Sequence, residues 1–394
     1  MARKKLKLVI GISFLIVFVA TTFAPVAART RKVATLEFIV NCQVAPEPNQ
    51  LAYVDNPGVV ETAFPTLGST IAAFRTIKII NGITGDYTSN FTNFKLFMDQ
   101  LRDQNEGGFR DYDDDDINET LKCTYQGISF FDMFNENEKI LPVHMEFTNK
   151  SQNVNNSGYG PNPSSNSTPD LINTYYALKI YELNESLESN RSRVADFVKS
   201  CQIQPGNDYE YLFGISPNST EPSLIATSMA VALFKSILTG VYDNITNDLA
   251  FRPAVEDYLS QGLVQGGGGG IKDPVQPTPA TLSSTYWALM LSKNIDDILL
   301  VYYEDIESWI ISKQKNDGGF VEGDTSESSA SSSMEATFHA IASLKFIDSQ
   351  LSAIEAEFPW DLDQDVLMIT IVVLLIVIVV ILILFYMYKK KNRI

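Results

Sequence analysis

Gln314-Lys315-Asn316-Asp317-Gly318-Gly319-Phe320, followed one helix later by Thr337-Phe338-His339-Ala340-Ile341, is the stretch that decides the fold. Worn copies of both halves recur five times upstream. A Thr-x-x-Ala/Gly piece marks each copy: Thr70, Thr124, Thr174, Thr227, Thr285 and Thr337 begin it, at successive spacings of 54, 50, 53, 58 and 52 residues. Such regularity predicts a repeat array with one supersecondary unit per copy.

Each Thr opens a helical pattern, as in Ala340, Ile341, Leu344 and Ile347, whose apolar residues share one face. The small residue three positions after the Thr lies on that face and lets a neighbouring helix approach closely. A second helix precedes each Thr helix and ends near a Gln, as in Phe38 to Gln43, Phe197 to Gln202 and Trp309 to Gln314. A Gly turn and an apolar residue follow, as in Gly107-Gly108-Phe109 and Gly269-Gly270-Ile271. The turn is expected to end the helix in a left-handed glycine cap, with the apolar residue folded back on the last turn. Repeat 1 lacks it and reads as a degenerate terminal copy.

The two ends differ from the body. A basic Met1–Lys7 segment, an apolar run from Leu8 to Ala24 and the small residues before Arg29 predict a signal peptide over 1–28. The apolar run 366–388 is long enough to span a bilayer, and the basic tail 389–394 would keep that end cytoplasmic. The expected layout is therefore a repeat body over 32–351, a juxtamembrane linker over 352–365 and one C-terminal transmembrane helix. Its expected location is the plasma membrane, single-pass, with the body outside the cytoplasm.

Charge excludes one class of partner. The chain holds 30 basic and 47 acidic residues; eight of the bases and none of the acids lie in 1–28 and 366–394, leaving 22 against 47 between them, a net charge of −25. Such a surface repels phosphate backbones, so nucleic acid is not expected. Three cysteines, Cys42, Cys123 and Cys201, are too few for a disulfide scaffold and read as small buried residues. Nine Asn-x-Ser/Thr acceptors, at Asn90, Asn118, Asn149, Asn155, Asn166, Asn184, Asn190, Asn218 and Asn244, are candidate glycosylation sites.

The Gln-to-Phe turn followed by Ser/Thr-x-x-Ala resembles the repeat of the protein prenyltransferase β-subunits and the squalene-type terpenoid cyclases. Asp103 to Phe109 and Lys313 to Phe320 carry that resemblance best. It implies an all-α fold, an (α/α)6 toroid of six helix-pair repeats, with the Thr helices as the inner ring around a central cavity. The expected function is binding of a lipid, isoprenoid or glycan ligand or of a surface protein; an enzyme with a non-standard acid site and a structural surface or adhesion module are the alternatives.

The family's site residues are not found in register. Prenyltransferase zinc ligands of Asp, Cys and His type would fall in Ala280–Thr285 and Ser333–Thr337, which contain none of them, so zinc is not expected. Asp111-Tyr112-Asp113-Asp114 has the letters of the cyclase acid motif but stands well ahead of Thr124. Asp111, Asp113, Asp115 and Glu119 are instead candidate oxygen ligands for calcium, the alternative being a solvated acidic loop. Two residues after the Thr, Gln126, Tyr176, Met229, Trp287 and His339 are the cavity-lining candidates. Glu335, Asp170 and Glu221 are the acids near inner-helix starts that a glycan-active site would draw on.

Overall fold

A computed structural model describes residues 30–356, apart from 60–63, 83–89, 113–118, 136–141, 165–166, 187–190, 208, 239–249, 265–268 and 324–330. Residues Arg31–Glu355 form one compact unit. Six helix pairs run through it. The first helices of the pairs are α1 (Arg31–Asn41), α3 (Phe91–Gln100), α5 (Pro142–Lys150), α7 (Arg191–Ser200), α9 (Phe251–Gly262) and α11 (Tyr303–Ser312). The second helices are α2 (Leu67–Asn81), α4 (Leu121–Met133), α6 (Leu171–Leu183), α8 (Leu224–Ser236), α10 (Leu282–Asn294) and α12 (Met334–Ile347). Each of the second helices packs on the one before and the one after, and α12 packs on α2, so they close a ring.

Burial follows the ring. The outer helices are amphipathic, turning Phe94, Phe97 and Met98 or Ile306, Trp309 and Ile310 inward. The inner helices are buried further round, as α8 shows with Ala226, Met229, Ala230, Val231 and Leu233. An amphipathic helix supplies one apolar stripe, whereas a helix clasped between two neighbours and an outer partner needs a wider apolar surface.

The turn after each outer helix is the joint between repeats. Its apolar residue bridges back to the helix end in Arg102↔Phe109, Gln152↔Tyr159, Gln202↔Phe213, Leu263↔Ile271 and Gln314↔Phe320. Repeat 1 was expected to lack this joint. It has one, a short hairpin of β1 (Gln43–Val44) and β2 (Ala52–Tyr53) that pairs Gln43 with Tyr53. The bridging partner is Gln in four repeats, while Arg102 and Leu263 hold the place in the other two.

The paired glycines are not helix caps as expected. α11 ends at Lys313 in ordinary right-handed backbone, five residues before Gly318. Glycine is needed because the next repeat lies against the turn. A Cβ on Gly318 would stand 2.0 Å from the Ala34 carbonyl oxygen of α1, and one on Gly319 would stand 2.6 Å from the Phe38 ring. The same outer-helix contact meets Gly107 at Val143 and Gly269 at Asp305, so the double glycine is a docking notch.

The expected membrane span is overturned. Among the described residues no helix is long and apolar enough to cross a membrane. The 15 residues of α2 rise only about 22 Å, short of a hydrocarbon core of about 30 Å. The architecture of the described residues is the toroid, and the C-terminal transmembrane helix and the single-pass plasma-membrane location are withdrawn. The expected signal peptide, the 366–388 segment and the basic tail lie outside the described residues.

Candidate functional site

Two hydrogen bonds fix how every inner helix is turned. Four residues before each Thr stands a cap, Thr66, Thr120, Asp170, Ser223, Thr281 or Ser333, whose side chain accepts the N–H three residues on. The Thr hydroxyl oxygen, fully buried in all six copies, then accepts the backbone N–H of the apolar residue after the turn. Tyr53 donates to Thr70, Phe109 to Thr124, Tyr159 to Thr174, Phe213 to Thr227, Ile271 to Thr285 and Phe320 to Thr337, at 3.0–3.2 Å. With both ends of the first turn pinned, the same helical positions face the ring axis in every repeat.

A third bond links each repeat to the next. The first N–H of each inner helix donates to a residue two positions after the next repeat's turn residue: Leu67 to Asp111, Leu121 to Pro161, Leu171 to Ile215, Leu282 to Glu322 and Met334 to Asp55, through the carbonyl oxygens. Leu224 uses the Asp273 carboxylate instead. Carboxylates at helix N-termini also complement the helix dipole.

The ring encloses a cavity of about 290 Å³. Its wall is one helical face written around the circle. Two residues before the Thr it is formed by Gly68, Lys122, Ile172, Ile225, Ser283 and Glu335; one residue after, by Ile71, Tyr125, Tyr175, Tyr286 and Phe338. Two residues after the Thr it is formed by Ala72, Gln126, Tyr176, Met229, Trp287 and His339, and five after by Arg75. These offsets are i, i+3, i+4 and i+7 of an α-helix, the spacing of a single face. The five cavity-lining candidates therefore come together in one layer.

That layer is aromatic. Tyr125 and Tyr176 lie 5.6 Å apart between ring centres, Tyr175 and Trp287 6.5 Å, and Tyr286 and Trp287 5.2 Å. His339 lies 5.2 Å from Tyr286 and 5.5 Å from Phe338. The Arg75 guanidinium stands among these rings, 5.4 Å from Tyr125 and 5.8 Å from Phe338. Burial, reinforced by the cations Lys122 and Arg75, pulls the His339 pKa down to about 4, so its imidazole is neutral at pH 7. Burial raises the hydroxyls of Tyr175, Tyr176 and Tyr286, which stay protonated and able to donate.

The remaining candidates are placed elsewhere. Asp111 is spent on structure: its carboxylate accepts the Gly68 N–H at 2.9 Å, and its carbonyl oxygen takes the Leu67 N–H. Glu119 faces Arg110 at 3.8 Å, while Asp113 and Asp115 lie outside the described residues. Asp170 is the cap of α6, bonded twice to Asn173 at 2.7 Å. Glu221 is exposed and away from the wall, which leaves Glu335 as the one carboxylate among the wall residues. Of the sequon residues, Asn90, Asn149, Asn155 and Asn218 are exposed and Asn184 is half-buried; Asn118, Asn166, Asn190 and Asn244 lie outside the described residues. All three cysteines are buried free thiols with raised pKa values, chiefly through burial.

The donor set does not fit zinc. His339 is flanked by cations and rings, and among the described residues no three His, Cys, Asp or Glu side chains converge to hold a metal ion. Arg75, Lys122, Tyr125, Tyr175 and Tyr286 are wall residues that sequence reasoning passed over. The helical offsets around the Thr-plus-two position could have found all but Arg75, whose equivalents in the other repeats do not reach the wall.

The family model described as prenyltransferase alpha-alpha toroid domain matches residues 13–172 and 144–365. No curated protein matches the chain. Among solved structures, Candida albicans protein geranylgeranyltransferase-I complexed with GGPP is similar at 16% identity and a TM-score of 0.58, over 73% of this chain and 85% of that one. The type II terpene cyclase MstE from Scytonema is similar at 10% identity and a TM-score of 0.51, over 82% and 97%. At these identities the likeness is one of fold.

Proposed function

Because the chain belongs to the prenyltransferase α-α toroid family, we propose that its central cavity binds a small ligand with an apolar, isoprenoid-like body. The observation that carries this reading is the aromatic layer of Tyr125, Tyr175, Tyr176, Tyr286 and Trp287 around an internal volume of about 290 Å³, close to the lower end of ligand pockets. Conjugated and branched hydrocarbon packs well on such rings, and tyrosine hydroxyls orient a polar end. The Candida enzyme's structure holds GGPP, and the Scytonema cyclase has been solved with a geranylgeranyl dihydroxybenzoate substrate, which makes an isoprenoid body the first class to try. Zinc-dependent thiol prenylation is not part of the proposal, since the wall residues include no cysteine to complete the ligand set that chemistry uses.

A second reading rests on Glu335. It is the one acid of the wall and stands at the N-terminal rim, where a general acid could reach a bound ligand. Purification in native form followed by mass spectrometry of co-purifying lipids and glycans tests the binding reading. An isoprenoid-bodied molecule at near-stoichiometric level supports it; a glycan alone, or no ligand together with no binding of geraniol, sinks it. Conversion of the bound ligand by the native chain but not by E335Q would favour the enzyme.

A further inference from the structure

Arg75 is the anomaly of the cavity. Among the described residues its guanidinium makes no hydrogen bond or ion pair; the rings of Tyr125 and Phe338 flank it from the neighbouring helices α4 and α12. A guanidinium carries five N–H donors, and ring faces satisfy its charge in part but accept none of those hydrogen bonds well. The other repeats place no cation on the wall at this level. Lys122 and Glu335, both exposed at the rim, carry opposite charges, so the interior is left with the single positive charge of Arg75.

A second group in the same wall lacks a partner. His339 is 8% exposed and its Nδ1 has no hydrogen bond. Phe338 lies next to both groups, 5.5 Å from the imidazole and 5.8 Å from the guanidinium. A buried polar atom without a partner is costly, and the cost is relieved when a ligand supplies the missing bond.

We infer that Arg75 recognises a single carboxylate on the ligand, seated within the aromatic layer, and that His339 supplies a further hydrogen bond to the same group. Resting on the apolar-ligand reading, this narrows the ligand to a monoanionic apolar acid. A planar carboxylate matches the guanidinium fork with two parallel hydrogen bonds. A diphosphate carries more charge than one unpaired cation can offset. A cationic ligand, or a carbocation formed in the cavity, would meet Arg75 as a like charge in the place where the rings already serve a cation.

The test is calorimetric titration of the full-length protein with four matched ten-carbon ligands: geranic acid, geraniol, geranylamine and geranyl diphosphate. Geranic acid is expected to bind at least ten-fold tighter than geraniol, with geranylamine the weakest. R75Q is expected to bring acid and alcohol within about two-fold of one another, and R75K to retain part of the preference. Equal affinity for acid and alcohol in the native protein, or a preference that survives R75Q, overturns the assignment while leaving the apolar-ligand reading standing. Tighter binding of the diphosphate than of the acid overturns the single-carboxylate assignment. Absence of binding by all four ligands removes both readings. If R75Q fails to fold, as judged by its thermal melt, R75K and the native series decide.

Discussion

Asp55 and Met334, 279 residues apart, close the ring: the Met334 N–H donates both to the Asp55 carbonyl oxygen at 2.8 Å and to its carboxylate at 2.9 Å. The same carboxylate also takes the Glu335 N–H at 3.4 Å. Five of the six repeat junctions join neighbours along the chain; this one joins its ends. D55A is therefore expected to lower stability by about 1–3 kcal/mol, because it strips the N-terminus of α12 of its carboxylate acceptor and leaves only the backbone carbonyl. D55N, which keeps an oxygen, should lose less. Urea denaturation checks it, and an unchanged midpoint for D55A would contradict the closure role.

The glycine notch makes a graded prediction. G318A places a methyl group 2.0 Å from a backbone oxygen at a position where φ is +92°, so α1 must move away. Gly206 has a similar φ of +91° but nothing within 4 Å of its absent Cβ, so G206A measures the backbone strain alone. G206A should cost about 1 kcal/mol. G318A should cost at least ~2 kcal/mol more, the overpacking contribution. Equal losses would mean that the turn does not dock on α1.

Acid should weaken the fold through His339. Its folded pKa, about 4, lies below the ordinary histidine value, so the unfolded chain takes up a proton first as pH falls. The contribution to stability is complete above about pH 6.5 and is lost between there and about pH 4, amounting to on the order of 3 kcal/mol. His144, also buried and also lowered, titrates in the same sense. H339F should flatten the stability profile across that window in guanidine titrations at several pH values. An unchanged slope would place the imidazole in contact with water.

Filling the cavity should abolish binding without unfolding the ring. Ala72 is the smallest side chain in the layer that holds Trp287 and His339. A72F is expected to weaken geraniol binding at least ten-fold while the far-ultraviolet spectrum stays native. Retention of binding by a folded A72F would move the ligand elsewhere on the molecule.

The six-fold period, the helix pairs and the inward row two residues after each Thr were all legible in the amino-acid order, because a repeat writes its geometry at a fixed interval. The caps are legible too, since Ser, Thr or Asp stands four residues before every Thr. Asp111 shows what the amino-acid order leaves open. An acidic run looks like a ligand set from the sequence, yet its first carboxylate faces the N-terminus of α2 and accepts the Gly68 N–H there.

What the sequence by itself determined is the unit: an amphipathic outer helix, a glycine turn and a capped inner helix whose Thr sets its rotation. These rest on contacts within one copy, whose reach is coded by short spacings. Only the tertiary structure decided that the double glycine is a notch for the next repeat, that Asp55 fastens the last inner helix to the first repeat, and that Arg75 stands among Tyr125 and Phe338. Each depends on residues brought together by ring closure, and a lone arginine on one helix carries no periodic mark of where the other five helices will place their rings.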